Sequence, residues 1–164
     1  DVSALRDDPE MADVVAASGA AVVLMHRRGT SADMQDGGGP HYDDVIAEIT
    51  AFLQQRRDFA AGRGIDRSRI ILDPGLGFGK RVEHNLTILR HLDRFVALEQ
   101  PVLVGASRKR FLGSVLGVDE PKQRLAGSLA CVVIAALAGA AILRVHDVRA
   151  TVDAVQLCSA VHGE

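Results

Sequence analysis

An α/β fold with parallel strands is what this sequence predicts, and three observations predict it. Short runs of branched apolar residues alternate with longer amphipathic stretches, four times over 164 residues. The runs lack the alternation of half-solvated strands, as expected of strands buried on both faces. Each run stops at polar residues: His26 with Arg27, Asp73, Ser107 with Arg108 and Lys109, and Arg144 with His146 and Asp147. Parallel strands joined by right-handed crossovers place those ends at one mouth. Four such units make half of an eight-unit barrel.

Asp1-Val2-Ser3 reads as the end of a strand whose body lies outside the chain. Asp8 caps a helix with Pro9 in its first turn; Met11, Val14 and Val15 are its apolar face and Gly19 its stop. Residues 20–25 read as a buried strand. Residues 26–41 form a long polar loop, a length that in compact domains is often functional. A helix follows over about 43–61, with Ile46, Ile49, Phe52 and Leu53 along one side and Gly62 and Gly64 at its close. The central strand, 69–72, leads into a helix over about 83–98 marked by Leu86, Leu89, Leu92 and Phe95. A strand at 101–105, a helix at 122–138, a strand at 142–145 and a helix at 148–161 complete the pattern.

The chain is organised around Ile70-Ile71-Leu72-Asp73-Pro74-Gly75-Leu76-Gly77-Phe78-Gly79-Lys80. An apolar strand ends at a carboxylate, and Pro74 stops the ladder because it has no N–H to give. The glycines let main chain approach a flat ligand closely, or serve only a tight turn. Asp73 reads as an acceptor for the N–H groups of a heterocycle, or as a cap for the loop after it. Lys80 reads as solvated. Residues 75–80 are no phosphate loop: the spacing is too short and no Ser or Thr follows Lys80. No dinucleotide fingerprint follows the first strand either.

Other strand ends carry donors. Arg108, Lys109 and Arg110 are site residues or a solvated basic run. Arg144 and His146 alternate on their strand, so both can face one anion, or Arg144 is a structural ion-pair partner. A His26–His146 metal pair lacks the spacing of a zinc site. His41, His84, His91 and His162 read as surface or helix residues, and Asp147 and Asp153 as caps or surface carboxylates.

Composition bounds the rest. With 48% hydrophobic and 24% charged residues the chain falls among soluble globular domains. A net charge of -2 without charge blocks argues against nucleic acid as a partner. Cys131 and Cys158 show no metal spacing and read as reduced packing residues of a cytoplasmic protein. The uncharged stretch 125–143 reads as a buried helix and strand divided at Gly139, rather than a membrane span. No signal peptide is visible, and the chain begins at Asp1 rather than Met, so a processed chain or part of a longer one is expected.

Residues 73–80, the run Gly105-Ala106-Ser107-Arg108-Lys109-Arg110-Phe111-Leu112-Gly113, the run Arg144-Val145-His146-Asp147-Val148, and Leu24-Met25-His26 stand in the order of one family's motifs. The chain resembles the dihydropteroate synthases, pterin-binding transferases of folate biosynthesis inhibited by sulfonamides. The resemblance implies a (β/α)8 TIM barrel, with residues 1–164 as its C-terminal half. It implies condensation of a dihydropterin hydroxymethyl diphosphate with p-aminobenzoate, releasing diphosphate. Asp73, Lys109, Arg144, Met25 and Phe78 would bind the pterin, and Phe78, Ser107 and Arg110 the aminobenzoate. Arg144 and His146 would hold the diphosphate, and Lys109, Arg144 and His146 would be catalytic. Magnesium would accompany the diphosphate, its ligand lying in the N-terminal half. A cytoplasmic homodimer is implied as well.

Arg110 departs from a position that is often Ser in the family. The family's first-strand Asn, two mobile loops and third-strand Asp have no counterpart here. An open half-barrel would expose two sheet edges and one side of its core. The isolated chain is therefore expected to have little or no synthase activity, and to pair with a second copy. Two other readings are a methyltetrahydrofolate-type methyltransferase and a pterin-binding module without catalysis.

Overall fold

A computed structural model describes residues 1–29 and 40–163. The long loop expected at 26–41 therefore falls largely outside the described residues. The chain folds as helices and short parallel strands in alternation. The elements are α1 (Met11–Ser18), β1 (Val22–Met25), α2 (Val45–Gly62), β2 (Ile70–Asp73), α3 (Val82–Arg90), α4 (Asp93–Val96), β3 (Leu103–Val104), α5 (Arg110–Leu116), α6 (Leu125–Leu137), β4 (Ile142–Leu143) and α7 (Val148–His162).

The strands lie side by side in sequence order. Val22 to Met25 pair in register with Ile70 to Asp73, Leu72 bridges to Val102, and Leu103 and Val104 pair with Ile142 and Leu143, all parallel. Backbone bonds from Leu72 N–H to Pro101 O (2.9 Å) and from Arg144 N–H to Val104 O (3.0 Å) continue the ladders. All C-terminal strand ends thus fall along one edge. Asp1 adds to the other flank of β1: its N-terminus donates to Val23 O and its carbonyl accepts from Met25 N–H.

Leu24, Ile70, Leu72, Val102 and Val104 are buried in the sheet. Ile49 and Leu53 of α2, Ile88 and Leu89 of α3 and Phe95 of α4 belong to the same core cluster. Burial on both sheet faces explains why β1 and β2 carry no polar alternation.

Several expected boundaries move. Helix α1 begins at Met11, later than the Asp8 cap implies, because Asp8 accepts from Glu10 N–H (2.8 Å) in a turn before the helix. The helix expected over 83–98 is two, α3 and α4, with the His91 N–H shared between the Thr87 and Ile88 carbonyls at the break. The first turn expected at 122–124 is a 3₁₀ turn, Pro121–Arg124. Helix α5 was not expected; its seven residues are too few for an apolar period, and Gly113 sits inside it. That glycine admits the Val118 carbonyl and the Arg124 guanidinium, where a methyl group would collide.

The strand expected to be buried at 142–145 is shorter, and Ile142 is exposed. The uncharged stretch divides as expected into α6, a turn at Gly139 (φ 88°) and β4. Among the described residues no helix is long and apolar enough to cross a membrane. Both cysteines are free, Cys131 buried and Cys158 half-buried.

Candidate active site

Asp73 is the last residue of β2 and only 2% exposed, paired in register with Met25, which is equally buried. One carboxylate oxygen accepts from Gly75 N–H (2.7 Å). The other lies 3.9 Å from the Arg144 guanidinium. Burial pushes the Asp73 pKa up; the Gly75 N–H and the charges of Lys109, Arg144 and Lys80 oppose it. The loop cap and the candidate binder are therefore one residue, because a carboxylate has lone pairs for both.

The Gly-rich loop needs its glycines. Gly75 has φ 69°, and a methyl group there would run into the His26 carbonyl. The same holds at Gly79, φ 62°, against Arg28 O. These glycines let the loop lie directly on the residues that follow β1.

Lys109 reaches the site from the start of α5. Its stem lies over Gly77, its amine donates to Leu76 O, and the amine stands 4.7 Å from the Phe78 ring centroid. A cation over an aromatic face is attracted by the ring quadrupole. Burial lowers the Lys109 pKa to about 8, with Asp73 raising it and Arg144 lowering it. Arg144, at the end of β4, lies across Gly105, where a methyl would stand 3.3 Å from its guanidinium. Met25, Asp73, Phe78, Lys109 and Arg144 thus converge, although they span 120 positions of the chain (144 − 25 + 1).

Beside them, Ser107 Oγ accepts from His146 N–H (3.2 Å) and shares a bond with His146 Nδ1 (3.0 Å). Ser107 and His146 are therefore joined across the ends of β3 and β4. Arg110 is exposed at the first residue of α5, directly after Lys109.

Two expectations are corrected, for Lys80 and Asp147, and one alternative falls, for Arg108. Lys80 is not solvated. Its amine donates to Gly75 O (2.8 Å) and Phe78 O (3.1 Å) and meets His26 Nδ1 at 3.0 Å. Backbone carbonyls in a tight loop supply the acceptors that make its burial tolerable. Arg108 is not part of a solvated run: it makes a two-pronged pair with Asp147, at 2.6 and 3.1 Å. Asp147 accordingly ties β3's loop to β4's rather than capping α7, for which it makes no side-chain bond.

Sequence reasoning also missed Asn85, Tyr42 and Ser128. Asn85 is buried on α3 and accepts from Gly77 N–H (2.7 Å). Its signal was present: it occupies the first place of the face Asn85, Ile88, Leu89 and Leu92, a polar residue where the period demands an apolar one. Tyr42 O–H donates to Gly79 O (2.9 Å). Ser128 Oγ accepts from Arg108 N–H (3.0 Å).

The pocket so built joins one buried carboxylate with the cations of Lys109 and Arg144. The carboxylate can take N–H donors from a flat heterocycle. The cations can take a ring carbonyl and, at the exposed Arg144–His146 side, an anion.

The chain spans about half the length of the curated relatives it matches. It is 43% identical over 153 residues to the dihydropteroate synthase of Escherichia coli strain K12, covering 93% of this chain and 53% of that one. Dihydropteroate synthase of Xanthomonas albilineans with 4-aminobenzoic acid aligns with a TM-score of 0.91 at 48% identity, covering 100% of this chain and 57% of that chain. The same enzyme in complex with 7,8-dihydropteroate aligns at 0.92 and 47% identity, covering 100% and 60%. The model of the family described as pterin binding enzyme matches residues 1–146. The chain belongs to the pterin-binding enzymes.

Proposed function

We propose that this chain is the C-terminal half of a dihydropteroate synthase barrel, spanning residues 1–164 as one domain, and that its strand ends form the pterin pocket. The observation that carries the reading is the convergence of Asp73, Lys109 and Arg144 from the ends of three strands. The similarity to synthases solved with 4-aminobenzoic acid and 7,8-dihydropteroate supports the same ligands here.

In this reading the Asp73 carboxylate accepts two N–H groups of the pterin, and Met25 floors the ring. Lys109 donates to the ring's carbonyl or nitrogen. Phe78 borders both rings, with Ser107 and Arg110 toward the aminobenzoate. Arg144 and His146 hold the diphosphate as the methylene–oxygen bond breaks. Charge grows on the leaving oxygen at that moment, so donors already in place stabilise the transition state more than the substrate. The amine of aminobenzoate then attacks the pterin methylene.

Magnesium is not placed by these residues. No group of three His, Cys, Asp or Glu among the described residues could hold a metal ion, and the cations around Asp73 repel one. The cytoplasmic homodimer belongs to the same proposal. Val148, Leu157 and Val161 stand exposed on α7, which supports a second copy as their cover.

Titration of the chain with 6-hydroxymethylpterin by calorimetry tests the pocket. Saturable binding is expected, weakened about tenfold or more, roughly 1.4 kcal/mol, by Asp73→Asn. An amide presents one acceptor and one donor where the ring needs two acceptors. Equal affinity of the two proteins would remove the reading. Turnover to dihydropteroate by the isolated chain is expected to be absent, and methyl transfer from a methylated folate would favour the methyltransferase reading.

A further inference from the structure

Lys80 is a buried amine beside the pocket, its pKa lowered by burial to about 7, with no part in the chemistry above. Four acceptors surround its amine: Gly75 O at 2.8 Å, Phe78 O at 3.1 Å, His26 Nδ1 at 3.0 Å and, further off, His26 O at 3.4 Å. For His26 to accept at Nδ1 it must be neutral, with its proton on Nε2. Burial first, and then the Lys80 charge, keep it so by lowering its pKa to about 2. The imidazole is itself held edge-on to Phe52, with ring centroids 4.9 Å apart.

What Lys80 grips is informative. The Gly75 peptide is used from both ends: its carbonyl takes Lys80, and its N–H takes the Asp73 carboxylate at 2.7 Å. Phe78 is likewise held at its carbonyl by Lys80, while its ring lies under the Lys109 amine. Three further side chains hold the frame from outside the loop: Asn85 at Gly77 N–H, Tyr42 at Gly79 O and Lys109 at Leu76 O. Every one of these bonds ends on loop main chain.

The geometry points to Lys80 as a positioning residue for the pterin pocket: through the Gly75 peptide it aims the Asp73 carboxylate, and through the Phe78 carbonyl it sets the ring that faces Lys109. The assignment rests on the pterin reading of this site. A loop rich in glycine has many conformers, and one amine bonded to two of its carbonyls and to the neighbouring strand end selects a single one.

The test is a double-mutant cycle on affinity for 6-hydroxymethylpterin, using the wild-type chain, Lys80→Met, Asp73→Asn and the double variant. Lys80→Met is expected to weaken binding tenfold or more while Asp73 is present, and by less than twofold once Asp73→Asn has removed the carboxylate it aims. A merely structural lysine would weaken binding by the same factor in both backgrounds. The ¹⁵N spectrum of His26 gives a second readout: a hydrogen-bonded, unprotonated Nδ1 is expected in the wild type and a free one in Lys80→Met. If Lys80→Met does not fold, Lys80→Gln, which keeps two N–H donors, enters the same cycle; a smaller loss is then expected, again only while Asp73 is present, and an equal loss in both backgrounds overturns the assignment. Wild-type binding that the Lys80 variant leaves within twofold, or equal losses in both backgrounds, overturns this assignment alone. Absence of binding by the wild-type chain removes the pterin reading and this assignment with it.

Discussion

Arg108 has φ 59°, a left-handed conformation that side chains rarely adopt. It is held there from three directions: Ser128 accepts its N–H, Arg124 donates to its carbonyl at 2.9 Å, and Asp147 pairs with its guanidinium. Lys109 is the next residue, so this clamp sets where the site lysine departs. Asp147, whose pKa Arg108 holds below the usual carboxylate value of 3.8, stabilises the fold fully above that value and ceases to as pH falls through its folded pKa. Asp147→Asn should therefore lower the thermal midpoint at pH 7, with the gap to wild type closing in acid. A gap that persists at pH 2 would contradict the pairing. Lys109 behaves in the opposite sense. Its pKa of about 8 lies below 10.5, so the unfolded chain binds more protons between those values and stability from this group rises with pH across that window. Pterin affinity should fall over the same window as the charge is lost. It should fall again in acid as Asp73 protonates, at a pH above the ordinary carboxylate range because burial raises its pKa. Affinities measured from pH 4 to 10 should describe a bell, with the alkaline limb reduced in Lys109→Met to what remains from Lys80, whose pKa burial lowers to about 7. At this scale the sequence revealed the polar strand ends, since a carboxylate closing an apolar run is visible in one dimension. It hid Lys80, whose acceptors are main-chain carbonyls, and the pair Arg108–Asp147, whose members stand 39 positions apart.

At the level of elements, the alternation of strand and helix was legible because apolar runs and helical periods differ in kind. Lengths were not. A run such as Pro101 to Gly105 contributes Leu103–Val104 as strand and Val102 as a single bridge, because pairing depends on the neighbour's register and not on composition. Helix α3 shows what connects an element to the pocket. Asn85 turns from its buried face to hold Gly77 N–H and donates to Arg81 O at 2.6 Å. Asn85→Leu restores the apolar period but leaves that N–H without its acceptor. The expected result is a loss of about 1–3 kcal/mol in urea unfolding, with pterin affinity reduced as the loop loosens. A gain in stability would mean that the helix face, rather than the loop, sets the residue. Gly75→Ala makes the complementary prediction. The left-handed backbone and the collision with His26 O together should cost about 3 kcal/mol, and an unfolding midpoint equal to wild type would contradict it.

On the scale of the whole molecule, the sheet runs β1-β2-β3-β4 in one direction, and its polar ends share one edge. That order gathers residues from 25 to 146 into one place. In the function proposed above, this edge grips a pterin between the Asp73 carboxylate and the cations of Lys109 and Arg144. A crystal of the chain soaked with 6-hydroxymethylpterin reads out that grip itself. The predicted result is a ring over Met25, with two of its N–H groups within about 3 Å of the Asp73 oxygens and the Lys109 amine on the same ring. A pterin bound at any other place, with Asp73 still turned only to Gly75, would contradict it.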